Sequence, residues 1–203
     1  MSTQKKISIL GPAGNIEGIL QLPDLTPHAI AVVAHPLPIM GGTMDNKVVT
    51  TLTKAFVELG YATLRFNFRG VGESTGSYDE GIGETQDAIA AADFIRSEFP
   101  GLPLVLAGFS FGGYVQACAV QHLQTNQLVL VAPAVGRFAM PGVPDNTLLI
   151  HGDMDEVVEL QELLHWARPQ LLPVIVLAGA EHFFHGRLTQ LKQIVLRHFG
   201  GQS

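Results

Sequence analysis

Four apolar residues, Leu104 to Ala107, run straight into Gly108-Phe109-Ser110-Phe111-Gly112, and a run rich in small residues follows to Val120. That order predicts a strand, a sharp turn and a helix. At such a turn the serine is held in a strained backbone conformation with its hydroxyl exposed at the C-terminal end of the strand. Glycine is required at 108 and 112 because a Cβ at either would collide where strand and helix cross. The new helix aims its free N–H groups and positive dipole end at the place where an oxyanion would develop. Ser110 is therefore read as a nucleophile.

A second Gly-x-Ser-x-Gly, Gly72-Glu73-Ser74-Thr75-Gly76, differs in its surroundings. It follows the glycine-spaced loop Arg69-Gly70-Val71-Gly72 and precedes more loop, with neither an abutting strand nor a following helix. Ser74 is read as a turn residue.

The hydrophobic pattern around Ser110 alternates between strand and helix. Residues 5–10 and 16–22 are short strand-like runs joined by Gly11-Pro12-Ala13-Gly14-Asn15, which predicts an antiparallel hairpin. Ala29–Ala34 reads as a buried strand leading into the proline- and glycine-rich loop His35-Pro36-Leu37-Pro38. Asp45 is placed to cap a helix running to about Leu59. Further strands are expected at 61–68, 127–132, 147–151 and 174–178, and helices at 84–99, 157–167 and 186–199. Alternation from residue 29 onward gives an α/β class with a mostly parallel sheet. Neither a repeat nor a linker interrupts it, so residues 1–203 are expected to form one domain.

Composition excludes several classes. A net charge of −6 without basic runs argues against nucleic acid or an anionic membrane as partner. No apolar run reaches 18 residues, so no membrane span is expected. The N-terminal stretch lacks the apolar length of a signal peptide, and a single cysteine, Cys118, suits a reducing cytoplasm.

Chemistry collects at the C-terminal ends of three predicted strands, as open α/β sheets require. After Ser110 comes His151-Gly152-Asp153-Met154-Asp155, and then Gly179-Ala180-Glu181-His182-Phe183-Phe184. A serine hydroxyl becomes nucleophilic near neutral pH when an imidazole takes its proton and a carboxylate fixes that imidazole. His182 supplies the base; Asp155 supplies the carboxylate, and spacing alone leaves Asp153 as a competitor. His35 and His151 stand beside proline or glycine, where bonding to loop backbone is the ordinary role. His182 and His185 lack the helical context and third ligand of a metal pair, so no metal or cofactor is expected.

Taken together, the post-strand loop His35–Pro38 with Gly41–Lys47, the segment Arg65–Ser74, the serine turn, Gly152-x-x-Asp155 and His182-Phe183-Phe184 resemble the α/β-hydrolase superfamily. Within it the chain is similar to the small lidless bacterial hydrolases related to dienelactone hydrolase and to the S33-type serine-peptidase-like esterases. The resemblance implies a three-layer fold with about eight strands. It also implies that the acid is the aspartate three residues after glycine, which favours Asp155 over Asp153, and that the Arg69-Gly70 loop is structural. Dienelactone hydrolase itself carries a cysteine nucleophile, so that activity is not implied here.

In this fold the oxyanion hole takes one N–H from the residue after the nucleophile, here Phe111, and one from the loop after an earlier strand. Pro36 and Pro38 have no N–H, which leaves Leu37 as the donor within His35–Pro38. Only Pro133 to Asn146 separates two strands where relatives insert a cap, so none is expected. The open site would be roofed by loops bearing Met40, Phe138, Met140 and Phe183. Candidates to line it are His35, Met40, Phe109, Phe138 and Phe183.

The expected reaction is acyl transfer from a small-molecule ester or thioester, in a monomer or homodimer. Activity should decline as pH falls through the imidazole range near ~6.5. Peptidase, amidase or acyltransferase chemistry would use the same three side chains. A non-catalytic binding protein on the same scaffold is the rival of a different class.

Overall fold

The computed structural model describes residues 3–201; the ends of the expected 1–203 unit lie outside the described residues. Strands β1 (Thr3–Gly11) and β2 (Gly14–Leu22) form the expected hairpin, each starting two residues earlier than expected and β1 ending one residue later. Six more strands follow: β3 (Ala29–Ala34), β4 (Tyr61–Phe66), β5 (Leu104–Phe109), β6 (Gln127–Val131), β7 (Leu148–Gly152) and β8 (Val174–Leu177). The helices are α1 (Lys47–Glu58), α2 (Ile82–Glu98), α3 (Phe111–Ala119), α4 (Leu160–Ala167) and α5 (Leu188–Gly200).

The eight strands form one sheet in the order β1-β2-β4-β3-β5-β6-β7-β8, parallel from β4 to β8. The central strands are apolar at nearly every position because both faces are covered. Along β3 and β5, Ile30, Val32, Leu104 and Leu106 face a core layer with α2 and α3. Ala31, Val33, Val105, Ala107 and Phe109 face the opposite layer with α1 and α5. This is the three-layer α/β architecture, and no helix is inserted between β6 and β7. No helix among the described residues is long and apolar enough to cross a membrane.

Three expectations are corrected. Asn46, not Asp45, caps α1: its side chain accepts the Val48 N–H at 2.8 Å, while Asp45 turns to pair with Arg65. Helix α4 starts at Leu160 rather than 157, because Glu159 just before it is extended (φ −63°, ψ 136°) and leaves the turn at 155–158, closed on the Asp155 carboxylate, separate from the helix. Helix α2 starts two residues earlier than its apolar period suggests. Its buried face includes Glu84, which accepts the Asp79 and Gly81 N–H groups, and Asp87, which pairs with Arg69 at 2.8 Å.

Two polar side chains tie the loops beneath the site. Ser74 accepts the Glu17 N–H and donates to the Asn67 carbonyl, which makes it the structural turn residue expected. His35 is fully buried at the end of β3. Its Nδ1 lies 2.6 Å from the Pro36 carbonyl oxygen, and its Nε2 accepts the Phe68 N–H at 3.0 Å, joining the loops after β3 and β4. Burial pushes this imidazole down to about 4, against the pull of the Pro36 carbonyl.

The unfolded imidazole titrates near ~6.5, so between there and about 4 only the unfolded chain takes the proton. The His35 contribution is complete above that interval and declines by roughly 3 kcal/mol as pH falls through it. His151 and His198, also lowered by burial, act in the same direction. Urea denaturation at pH 7.5 and 5.0 checks this. His35→Gln is expected to be less stable than wild type at pH 7.5 and to lose less on acidification; equal losses would exclude His35 as the source.

Candidate active site

Ser110 stands between β5 and α3 with φ 55° and ψ −118°, a left-handed conformation unusual for a residue with a Cβ. The strain is held by backbone bonds on both sides. Its N–H donates to the Val131 carbonyl at 3.0 Å, and its carbonyl accepts the N–H groups of Gly113, Tyr114 and Ala134. A Cβ at Gly108 would strike the Gly112 carbonyl, the expected strand–helix collision. A Cβ at Gly112 would instead strike the carbonyls of Ala34 and His35, so that glycine is required by the neighbouring strand β3.

Three side chains from separate strand ends meet in one hydrogen-bonded line. His182 Nε2 lies 3.0 Å from Ser110 Oγ, and His182 Nδ1 lies 2.7 Å from Asp155 Oδ2. All three residues are largely buried. Asp153 points elsewhere, accepting the Gly179 N–H, so of the two carboxylates left open by spacing it is Asp155 that meets His182.

Burial opposes ionisation of Asp155, but hydrogen bonds from His182 and from the Val158 and Val157 N–H groups outweigh it. The carboxyl is held below its ordinary range. His151 packs behind it, with Nε2 donating to the Val158 carbonyl at 2.8 Å and lying 3.6 Å from Asp155 Oδ2. Burial keeps His151 neutral, so it braces the acid loop without competing as a cation. Phe109 lies under the His182 ring with centroids 5.0 Å apart, and Phe183 meets that ring edge-on at 5.1 Å.

A cavity of about 270 Å³ opens beside Ser110. Leu37 and Phe111 border it, and among the described residues neither donates its backbone N–H to a protein acceptor. The loop carrying Leu37 is folded back tightly: its carbonyl accepts the N–H groups of Met40 and Gly42. Met40, Phe138 and Phe183 line the cavity as expected. His35 and Phe109 do not; both are wholly buried, one joining two loops and the other supporting His182. Met140 also falls outside the cavity and packs against the core. His185 sits exposed beside Glu181, away from the serine.

Asn46, Ala134, Arg137, Val157 and Val158 also line the cavity, none of them expected there from the sequence. For Val157 and Val158 a signal existed, because an aspartate two and three residues ahead is the spacing of an Asx turn. Arg137 and Asn46 offered none, since each reaches the site through the placement of its loop.

Comparison with known proteins agrees with this fold. Residues 27–146 match the family described as serine aminopeptidase, S33. A crystal structure of a lidless α/β serine hydrolase from Xanthomonas campestris is 37% identical, with a TM-score of 0.92 over 96% of this chain and 93% of that one. An α/β serine hydrolase homologue from Coxiella burnetii is 40% identical, with a TM-score of 0.89 over 95% of this chain and 96% of its own. An uncharacterized protein of Rickettsia prowazekii is 32% identical over 91% of this chain and 84% of that protein. On this footing the chain belongs to the α/β-hydrolase superfamily and, within it, to the serine aminopeptidase S33 family.

Proposed function

We propose that the protein cleaves carboxylic esters or thioesters of small or exposed acyl groups by a Ser-His-Asp mechanism through an acyl-enzyme. The observation that carries this reading is the unbroken hydrogen-bonded line from Ser110 through His182 to Asp155 beside an open apolar cavity. Ser110 Oγ attacks the acyl carbon as His182 Nε2 takes its proton, and Asp155 stabilises the imidazolium that forms. The N–H groups of Phe111 and Leu37 receive the developing oxyanion. His182 then protonates the departing oxygen or sulfur. A water deprotonated by His182 attacks the acyl carbon and frees Ser110, which regains its proton.

Labelling with a fluorophosphonate, read by intact mass, and turnover of 4-nitrophenyl esters test the assignment together. Ser110→Ala is expected to abolish labelling and lower kcat by about 10⁶-fold, whereas Ser74→Ala retains the label. Asp155→Asn is expected to lower kcat by about 10⁴-fold through the wrong histidine tautomer, against a change of no more than about threefold for Asp153→Asn. A folded wild type that takes no label and cleaves no ester would turn the reading to a binding protein.

The second oxyanion donor has its own test. Leu37 has φ −52°, within the range of proline, so Leu37→Pro deletes the N–H without demanding a new φ there. Leu37→Ala removes the side chain and keeps the N–H. The expected result is a kcat loss of about 10²–10³-fold in the proline variant beyond that in the alanine variant. Circular dichroism confirms that both fold, and equal losses would remove Leu37 from the oxyanion hole.

A further inference from the structure

The charges around the site are distributed unevenly. Among the described residues, Arg137 is the ionisable residue besides His182 that lines the cavity, and no aspartate or glutamate borders it. Among the described residues no carboxylate forms an ion pair with the Arg137 guanidinium. The guanidinium lies 5.9 Å from the centroid of the Phe138 ring, which is one wall of the cavity. Phe138 is itself fixed, stacked on Tyr114 at 4.7 Å and packed against Phe111 at 5.2 Å. This stacking sets an exposed, unpaired cation against a rigid cavity wall. Asn46 also lines the cavity; its Oδ1 is engaged on the Val48 N–H, which leaves its amide N–H groups available.

A second cleft lies beyond Val157, Phe183 and His182, which border both spaces, and it carries Glu156 and Glu181. A leaving group takes its proton from His182 Nε2 and therefore departs on the side of His182. The acyl group, bound through Ser110 with its oxygen toward the Leu37 and Phe111 N–H groups, stays in the cavity those two residues border. An anion on the acyl group faces Arg137; an anion on the leaving group meets two carboxylates.

From this polarity we infer that the preferred substrate, under the ester-hydrolase reading on which this inference rests, is a half-ester or half-thioester of a short dicarboxylic acid. Its free carboxylate is bound by Arg137 and its leaving group is neutral or cationic. The cavity of about 270 Å³ leaves room for a short acyl chain that carries a terminal carboxylate. Arg137 is the specificity-determining residue, and it works against the net charge of −6, which disfavours anions elsewhere on the surface.

The test compares the 4-nitrophenyl half-ester of adipic acid with its neutral isostere, in which a carbamoyl group replaces the free carboxylate. Wild type is expected to favour the half-ester about tenfold in kcat/KM, as for a solvent-accessible charge-assisted contact. That ratio should approach one in Arg137→Gln, survive largely in Arg137→Lys, and shrink in 0.5 M sodium chloride. Calorimetric binding of the two intact esters to Ser110→Ala supplies a readout free of turnover, with the same discrimination expected and lost on adding Arg137→Gln. Equal binding, or a preference that persists in Arg137→Gln, overturns the inference even if both esters are cleaved. Discrimination in binding without turnover in wild type would uphold the Arg137 contact and overturn the hydrolase reading instead.

Discussion

The site depends on one close crossing, where β5 ends and α3 begins. Ser110 occupies a backbone region that costs an L-residue about 1–3 kcal/mol, and the surrounding peptide groups hold it there. Its carbonyl collects three N–H groups, from two positions in α3 and from Ala134 beyond β6, while its own N–H reaches the Val131 carbonyl. These bonds form because the chain approaches within a distance that excludes any Cβ at 108 or 112. One constraint therefore fixes three things: the exposure of the hydroxyl, the direction of α3 and the position of the Phe111 N–H.

The acid side is built by a different balance. Burial alone would raise the Asp155 carboxyl toward its neutral form, and a neutral acid could not stabilise an imidazolium. Two backbone N–H groups on Oδ1 and the His182 ring on Oδ2 reverse that. The same bonds close a local turn at 155–158 that is separate from α4, which begins after the extended Glu159. His151 locks the same turn by bonding the Val158 carbonyl, so the loop is held at both its N–H and its C=O groups. A strand-end histidine thus braces the Asp155 loop by packing and a backbone bond.

Much of this was legible in the sequence because it is encoded by residues that allow few alternatives. Gly108 and Gly112 with an apolar run before them permit little but a strand–turn–helix, and the buried parallel strands show as unbroken apolar stretches. Boundaries were less legible where a side chain captures a backbone group, as Asn46 does at α1 and Asp155 before α4. Periodicity counts apolar residues and is blind to such captures. The same blindness hid Glu84 and Asp87, whose charges are buried on α2 because they meet backbone N–H groups and Arg69. His35 bonds loop backbone as expected, but neither it nor Phe109 lines the cavity, because adjacency to the site along the chain does not say on which side of the sheet end a side chain falls.

The absence of a cap among the described residues shifts the burden of selectivity. In a closed site, shape and desolvation discriminate among substrates; here Met40, Val157 and Phe183 remain substantially exposed around the opening. Apolar contact at such a rim separates acyl groups weakly, since each methylene contributes about 0.8 kcal/mol only when it is fully buried. A fixed charge has a longer reach than a methyl contact, and it also acts by repulsion, rejecting cationic acyl groups as it attracts anionic ones. With Arg137 on one side of His182 and Glu156 and Glu181 on the other, an open cleft acquires a direction. That polarity orients a substrate before any wall encloses it.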